Sequence, residues 1–355
     1  MEMPGPPSKE VSANLDLLRA IAVMSVFSTH LISATLHDRS FGSLGRFGVI
    51  IFFVHTSFVL MASLQRLERT ASSDSSLALA FWIRRFFRIY PLAVLFVILV
   101  AVFRIPPSPG QTYAWVGLKS FLANLALIQN LIVSKEILGV LWSLPLEVQM
   151  YVILPFAYFA IRGDRRYRSL ALWMLSVLLA LTLPMINWRL GVFRYAPCFT
   201  SGVVAFDLIR SKRWKWKLPA WVWPIGIFTA IALFGPHDDI SLPHKMYRAW
   251  ALSLLLGGLF AIVEEGQSNW MHRIFHWIAE HSYGIYLSHS VVLSIVFYGM
   301  ENFPLWAQIA ALIVGAAGIP AVLYVSIEEP LILAGGHVAR RLLRHSVMSK
   351  GCQPA

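Results

Sequence analysis

The stretch LDLLRAIAVMSVFSTHLISA, residues Leu15 to Ala34, carries the strongest evidence for the fold. A helix of about 20 mostly apolar residues crosses the roughly 30 Å hydrocarbon core of a bilayer, so this stretch predicts a membrane-spanning helix. Arg19 and His30 lie within it, and ionisable residues at such positions are costly and usually functional. Their helical spacing puts both on one face, roughly 16 Å apart along the axis. The pattern favours one wall of a buried reaction chamber over a lipid anchor.

Composition indicates a polytopic membrane protein. The 355 residues are 57% hydrophobic and only 14% charged, too few charges to cover a soluble domain of this length. The net charge of +12 does not indicate a nucleic-acid partner, because the basic residues form short clusters between apolar runs. The two cysteines, Cys198 and Cys352, give neither a disulfide framework nor metal-ligand spacing, and we predict no metal site.

Further apolar runs follow the first span along most of the chain. They cover approximately residues 47–65, 89–103, 114–133, 138–161, 169–186, 192–209, 219–235, 248–263, 278–300 and 305–327. The run at 114–133 is the weakest, because Lys119, Asn124, Gln129 and Asn130 interrupt it. We therefore predict a re-entrant or interfacial segment there, where surrounding protein shelters polar backbone.

The distribution of positive charge predicts the topology. Lysines and arginines crowd at 66–88, 162–168, 210–217 and 340–350, and the positive-inside rule places such loops in the cytoplasm. The predicted fold is therefore an all-α protein of about ten transmembrane helices around a central cavity, with both termini cytoplasmic. Its predicted parts are a polar tail at 1–14, a membrane domain at 15–330 and a basic cytoplasmic tail at 331–355.

Other polar residues are predicted to lie in the membrane near Arg19 and His30. His289 lies about as deep in its helix, within EHSYGIYLSHS, as His30 does in the first, and Tyr286 shares its face. Glu147 is a buried carboxylate candidate that needs a partner, which Arg19 or a histidine could supply. For each of these residues a structural role, as a packing residue or a helix-stapling ion pair, remains an alternative to a role in chemistry.

Arg84, Arg85 and Arg88 form a basic block, FWIRRFFRIYP, at the predicted cytoplasmic end of a span. A role as a positive-inside topology signal explains these arginines as well as a role in ligand binding does. The functional alternative is recognition of phosphate groups on a cytoplasmic donor, because guanidinium groups bind phosphate through paired hydrogen bonds.

Separated motifs in this sequence resemble those of acyltransferase family 3, a family of bacterial membrane O-acyltransferases. The similar motifs are LDLLRAIAVMSVFSTH, GVIIFFVHTSF, RRFFRIYP, LWSLPLEVQMYVILP, HSYGIYLSHSVV and the closing Ile327-Glu328-Glu329-Pro330. They follow the family's order over nearly the whole chain. Leu17 replaces a usual glycine and Val148 a usual second glutamate. These departures leave the proposed chemistry intact. They bear on the identity of the acyl group and of the acceptor that the site takes.

The resemblance implies an inner-membrane enzyme that moves an acyl group, usually acetyl, from cytoplasmic acyl-CoA to a hydroxyl of a cell-surface or exported carbohydrate. Carried over by position, the catalytic residues are Arg19, His30 and Glu147, and the family's arginine pair is Arg84 and Arg88. Together with Arg85 of the same basic block, this pair is expected to bind acyl-CoA. Trp142, Ser143, Tyr286 and His289 are expected to line the acceptor chamber. No permanently bound cofactor is expected. Many relatives have an extra esterase-like domain, and without one we expect the membrane domain to bind the acceptor itself.

The hypothesis for the mechanism is general-base catalysis. His30 would accept the proton of the attacking hydroxyl, because an imidazole titrates near neutral pH, while an acyl-histidine intermediate remains open. Arg19 would hold the donor or balance developing negative charge. A transporter or flippase for a lipid-linked sugar is the first alternative, although matched broken helices are not evident. A non-enzymatic assembly or sensor protein is the second.

Overall fold

A computed structural model of the chain describes residues 12–36, 41–108, 110–132, 134–163, 167–211, 216–234, 246–266 and 270–351, and the side chains up to residue 344. Most of the described residues are helical, with an isolated bridge between Leu218 and Val263. The twelve helices described are α1 (Ala13–Leu36), α2 (Gly42–Glu68), α3 (Asp74–Val102), α4 (Leu118–Leu125), α5 (Leu144–Ile161), α6 (Arg168–Ile186), α7 (Ala196–Arg210), α8 (Val222–Phe234), α9 (Tyr247–Ile262), α10 (Trp270–Ser294), α11 (Leu305–Leu323) and α12 (Glu329–Gly351). Short 3₁₀ segments at Gly139–Trp142 and Trp188–Tyr195 precede α5 and α7, and π segments follow α10 and α11.

This architecture confirms an all-α polytopic membrane protein. Among the described residues, seven helical stretches are long and apolar enough to cross a membrane. Two shorter apolar helices, α8 and α9, fall on the predicted runs at 219–235 and 248–263. The remaining candidate, α10, has 25 residues but is more polar, with four histidines. The count of ten spans stays a prediction.

The third predicted span, from about Ile89 to Phe103, falls in the second half of a longer helix. The helix α3 begins at Asp74, where the Ser73 hydroxyl accepts a hydrogen bond from the Ser76 backbone N–H and forms a capping box. It continues through Pro91 to Val102. The arginine block therefore lies within the helix, and Arg84, Arg85 and Arg88 line an internal cavity.

The interrupted run at 114–133 contains only the eight-residue helix α4. At 1.5 Å per residue it is about 12 Å long, too short to cross a bilayer. The polar residues that weakened the run satisfy the surrounding backbone. Buried Asn124 donates to the carbonyls of Ser120 and Lys135, and Gln129 donates to the Leu141 carbonyl. The segment is thus not a membrane-spanning helix, and its interfacial position stays a prediction.

Two helix contacts organise the molecule around the site. The first helix, α1, packs extensively against both α2 and α10. The predicted tail at 331–355 is helical through Gly351, and α12 packs along α3. This second contact is close, because a β-carbon at Gly335 would lie 2.6 Å from the Phe87 β-carbon. The chain's last helix therefore reaches the arginine block of α3.

Gly202 brings α7 against α2 and gives a first testable prediction. A β-carbon at Gly202 would lie 2.0 Å from the Ser57 hydroxyl oxygen and 2.2 Å from the Val54 carbonyl oxygen. We expect Gly202→Ala to destabilise the protein by about 1–3 kcal/mol, as overpacking does. Gly258→Ala is the matched control, because a β-carbon on that α9 residue has no atom within 4 Å. The measurement is thermal unfolding in detergent, and equal midpoints for both variants would contradict the close contact.

Candidate active site

One face of α1 borders three neighbouring cavities. Arg19, Val23, Val26 and His30 are spaced by four, three and four residues, so they lie along one stripe of the helix. Arg19 lines the first cavity, Val23 and Val26 line the second, and His30 lines the third. The two ionisable residues thus share a face, as their spacing predicts, and they occupy opposite ends of a row of cavities.

The first cavity, which we call the arginine cavity, has a volume of about 440 Å³. Among the residues that line it are five arginines and two glutamates: Arg19, Arg84, Arg85, Arg88, Arg340, Glu147 and Glu329. All three arginines of the predicted phosphate-binding block are present. The excess of guanidinium groups over carboxylates makes the cavity suitable for an anion.

The arginines of this cavity have unused hydrogen-bonding capacity. The Nε atoms of Arg19, Arg84 and Arg85 are buried and have no hydrogen-bond partner among the described residues. Aromatic rings position two of these side chains, because Arg19 lies over Phe52 and Arg85 over Phe81, each at 5.8 Å. Buried donors without partners are costly unless a ligand or water occupies the site. They therefore favour a cavity built to hold a ligand.

Glu147 lies in the wall of the arginine cavity and is 6% exposed. Its hydrogen-bond donor is the Tyr151 hydroxyl, one helical turn further along α5. The sequence predicted Arg19 or a histidine as its partner. Arg19 lies within electrostatic range of the carboxylate, as do Arg88 and Arg85, whereas Tyr151 was missed. Its four-residue separation from Glu147 was the available signal.

A second buried carboxylate, Glu328, has no counterpart among the predicted site residues. It is 3% exposed and lies within electrostatic range of Arg88 and Arg19. It belongs to the π segment between α11 and α12, where a widened turn changes the direction of the side chains. Arg88 therefore lies within range of both Glu147 and Glu328, and it helps to keep two buried carboxylates in one structure.

His30 lies at the other end of the row, in a cavity of about 180 Å³ that we call the histidine cavity. Trp142, Tyr286 and Arg46 also line it. The His289 ring packs against the His30 ring, with centroids 5.1 Å apart. The structure thus brings together His30, His289, Trp142 and Tyr286, which the sequence analysis assigned to one chamber, and it separates them from Arg19.

The hydrogen bonds of His289 assign its tautomer. Its Nδ1 lies 3.1 Å from the Ile285 carbonyl oxygen, and a carbonyl only accepts, so neutral His289 carries its hydrogen on Nδ1. Its buried Nε2 has no partner among the described residues. This nitrogen is then a free acceptor next to His30.

Tyr286 connects α10 to the 3₁₀ segment before α5. Its hydroxyl donates to the Val140 carbonyl oxygen at 2.6 Å, so the Ser143 hydroxyl, 2.7 Å away, donates to Tyr286. These bonds position the segment that carries Trp142 at the wall of the histidine cavity. Ser143 itself lines the middle cavity rather than the histidine cavity.

The middle cavity, which we call the passage, is small and mostly apolar, with a volume of about 30 Å³. It shares Phe52 and Glu147 with the arginine cavity. It shares Val26, Val49 and Tyr286 with the histidine cavity. A volume of this size holds little more than a water molecule. The three cavities therefore adjoin one another in a row, with the smallest in the middle.

His55 was noted in the sequence without a role. It is buried and lines the arginine cavity beside Arg19, not the histidine cavity. Arg340 was missed as a site residue, because it belongs to the predicted cytoplasmic tail. Only the packing of α12 on α3 brings it to the cavity.

Comparison with known proteins gives two similar relatives. Over 331 residues the chain is 24% identical to the peptidoglycan O-acetyltransferase OatA of Listeria monocytogenes, a match that covers 81% of this chain and 50% of the relative. Over 176 residues it is 31% identical to the acyltransferase MdmB of Streptomyces mycarofaciens, a match that covers 44% of this chain and 42% of the relative. The chain thus spans about half the length of these relatives or less. No solved structure matches it.

The family comparison covers most of the chain. Residues 12–327 match a family described as an acyltransferase domain. The match begins before α1 and ends within the π segment that precedes α12, so it includes the stripe of α1, the arginines of α3 and the whole histidine cavity. The chain therefore belongs to acyltransferase family 3.

Proposed function

We propose that the protein transfers an acyl group, acetyl in the first place, from acyl-CoA to a hydroxyl group of a cell-surface or exported carbohydrate. The observation that carries the proposal is the row of cavities along α1. An arginine-rich cavity at one end and an imidazole-lined cavity at the other lie on either side of the small, mostly apolar passage. This arrangement fits a donor with a phosphate-bearing end and a distant reactive thioester.

The arginine cavity is the proposed site for the nucleotide and diphosphate of acyl-CoA. The Nε atoms of Arg19, Arg84 and Arg85 have no hydrogen-bond partner among the described residues, and charge-assisted bonds between guanidinium and phosphate are strong. Arg340 supports a cytoplasmic position for this cavity, since it belongs to the basic cluster at 340–350. We accordingly place the protein in the bacterial cytoplasmic membrane with both termini in the cytoplasm.

Arg19 acts on the donor rather than at the reacting carbon in this proposal. It lines the arginine cavity, whereas His30 lies eleven residues further along α1, roughly 16 Å away along the axis. That separation is too great for one residue to stabilise charge beside the other. Arg19 would instead hold a phosphate or the pantetheine arm at the start of the passage, and Glu147 would position Arg19 and Arg88.

The narrow passage supports a short acyl chain. The thioester must pass Phe52, Val26 and Val49 to reach the histidine cavity, and these side chains must move apart, because the open volume of about 30 Å³ holds little more than a water molecule. An acetyl group, with two carbons, makes the smallest demand on this space. The name of the relative OatA, an O-acetyltransferase, points in the same direction.

The proposed chemistry takes place in the histidine cavity. The acceptor hydroxyl oxygen attacks the thioester carbonyl carbon while His30 takes the hydroxyl proton. The carbon–sulfur bond then breaks, CoA leaves as a thiolate, and the proton returns from His30 to the sulfur. Trp142 offers a flat apolar surface to a sugar ring, and the Nε2 of His289 can accept a hydrogen bond from the acceptor or from His30.

Loss of the thioester tests this function directly. We expect purified protein in detergent to release free CoA from acetyl-CoA, and to transfer radiolabelled acetyl to added peptidoglycan fragments or oligosaccharides. The measurement combines a thiol assay with separation of the labelled glycan. A transporter or flippase for a lipid-linked sugar would leave the thioester intact with every acceptor, and that result would overturn the proposal.

A further inference from the structure

A cluster of metal-binding side chains lies outside the three cavities. Asp16 is in the first turn of α1, and His272 and His276 are in the first two turns of α10. Their ligand atoms all lie within 4.8 Å of one another. None of the three lines the arginine cavity, the passage or the histidine cavity. The cluster is therefore separate from the proposed reaction site.

The geometry points both imidazoles at one carboxylate oxygen. His276 Nδ1 lies 2.8 Å from Asp16 Oδ2, and His272 Nε2 lies 3.8 Å from the same atom. The two rings are nearly parallel, with centroids 6.0 Å apart and planes 17° apart. The histidines are four residues apart on one helix, the spacing by which helical histidine pairs bind zinc.

These distances are close to those of a metal centre. Bonds of about 2.0–2.1 Å in a tetrahedral zinc site put neighbouring ligand atoms about 3.3 Å apart. The two distances to Asp16 Oδ2, 2.8 and 3.8 Å, lie on either side of this value, and the two imidazole nitrogens lie within 4.8 Å of each other. Side-chain rotations would bring the three ligand atoms around one ion.

We propose that Asp16, His272 and His276 bind a Zn²⁺ ion. Two imidazoles and one carboxylate are a ligand set that zinc accepts, and three protein ligands leave the fourth position for water. All three side chains are partly solvent-exposed, so an ion and its water can reach them. The site joins α1 to α10, the two helices that carry His30 and His289.

The expected consequence is a metal clamp on this helix pair. Asp16 lies one turn before Arg19 on α1, and the cluster fixes the register of α1 against α10 at one end. Binding to the folded protein alone stabilises it in proportion to the free metal concentration above Kd. The clamp stands independently of the proposed acyl transfer.

Metal binding to full-length protein is the test, with a purification tag that contains no histidine. After treatment with EDTA and its removal, Zn²⁺ is expected to bind with a stoichiometry of one per chain in equilibrium dialysis and to raise the unfolding temperature. Co²⁺ is expected to give the visible absorption bands of a four-coordinate site. Binding of less than one equivalent, without a thermal shift, would overturn the proposal.

Matched variants locate the ion. His276→Ala and His272→Ala are each expected to weaken Zn²⁺ binding at least about tenfold and to abolish the Co²⁺ bands. His337→Ala is the control, because His337 is an exposed residue of α12 outside the cluster. Equal binding by the cluster variants and the control would place the metal elsewhere and contradict the assignment. If one cluster variant fails to fold, the other variant and the titration of the wild-type protein still test whether the cluster binds Zn²⁺.

Discussion

His30→Ala is expected to reduce acyl transfer by about 10²–10⁴-fold, the usual contribution of a general base. His30 is half-buried and lines a cavity, so its truncation enlarges that cavity without removing a core side chain. The variant should therefore fold and insert normally. The measurement is the initial rate of labelled acetyl transfer from acetyl-CoA, with the amount of folded protein determined by size-exclusion chromatography in detergent.

Two controls separate a base from a packing residue. His337→Ala removes an exposed imidazole from α12 and should retain wild-type activity. His30→Gln keeps a polar side chain of similar reach, but it cannot take a full proton and should be nearly as inactive as alanine. Substantial transfer by His30→Gln would assign His30 to positioning, and the free Nε2 of His289 would become the candidate base.

Much of the fold follows from hydrophobic runs of sufficient length. The runs at 47–65, 138–161 and 169–186 correspond to α2, the helical stretch ending with α5, and α6. Hydropathy does not show how far a helix extends beyond its apolar run. The run at 89–103 covers only the second half of α3, because Arg84 and Arg88 interrupt the apolar pattern before it. In the structure these side chains point into a cavity, and the helix begins fifteen residues earlier.

The candidate site shows the same division between local and tertiary information. Helical spacing alone places Arg19 and His30 on one face of α1, and the fold bears this out. The partners of Glu147 and the contribution of Arg340 depend on helices that are distant in sequence. The cluster of Asp16 with His276, separated by 260 residues, depends on the packing of α1 against α10. No periodicity within one segment predicts such contacts.

The second large effect is expected at the arginine cavity. Arg84 and Arg340 both line it, come from the packed pair α3 and α12, and lie within electrostatic range of each other. The two guanidinium groups repel each other, and an anion bound between them offsets this repulsion. A charge-assisted hydrogen bond contributes about 1.5–3 kcal/mol, so Arg84→Ala combined with Arg340→Ala should raise the KM for acetyl-CoA at least about 100-fold.

The double substitution removes Arg84 and Arg340 but leaves Arg88 in place. The buried carboxylates Glu147 and Glu328 therefore keep a nearby cation. The double variant should therefore keep its kcat and its unfolding temperature, which identifies a binding effect. Arg341→Ala is the matched control, because Arg341 is exposed on the same helix and does not line the cavity. The KM of the wild type should also rise with salt, as expected for phosphate recognition by partly exposed cations. An unchanged KM in the double variant would leave these arginines with a role in membrane topology alone, and the donor would then have to enter the row of cavities elsewhere.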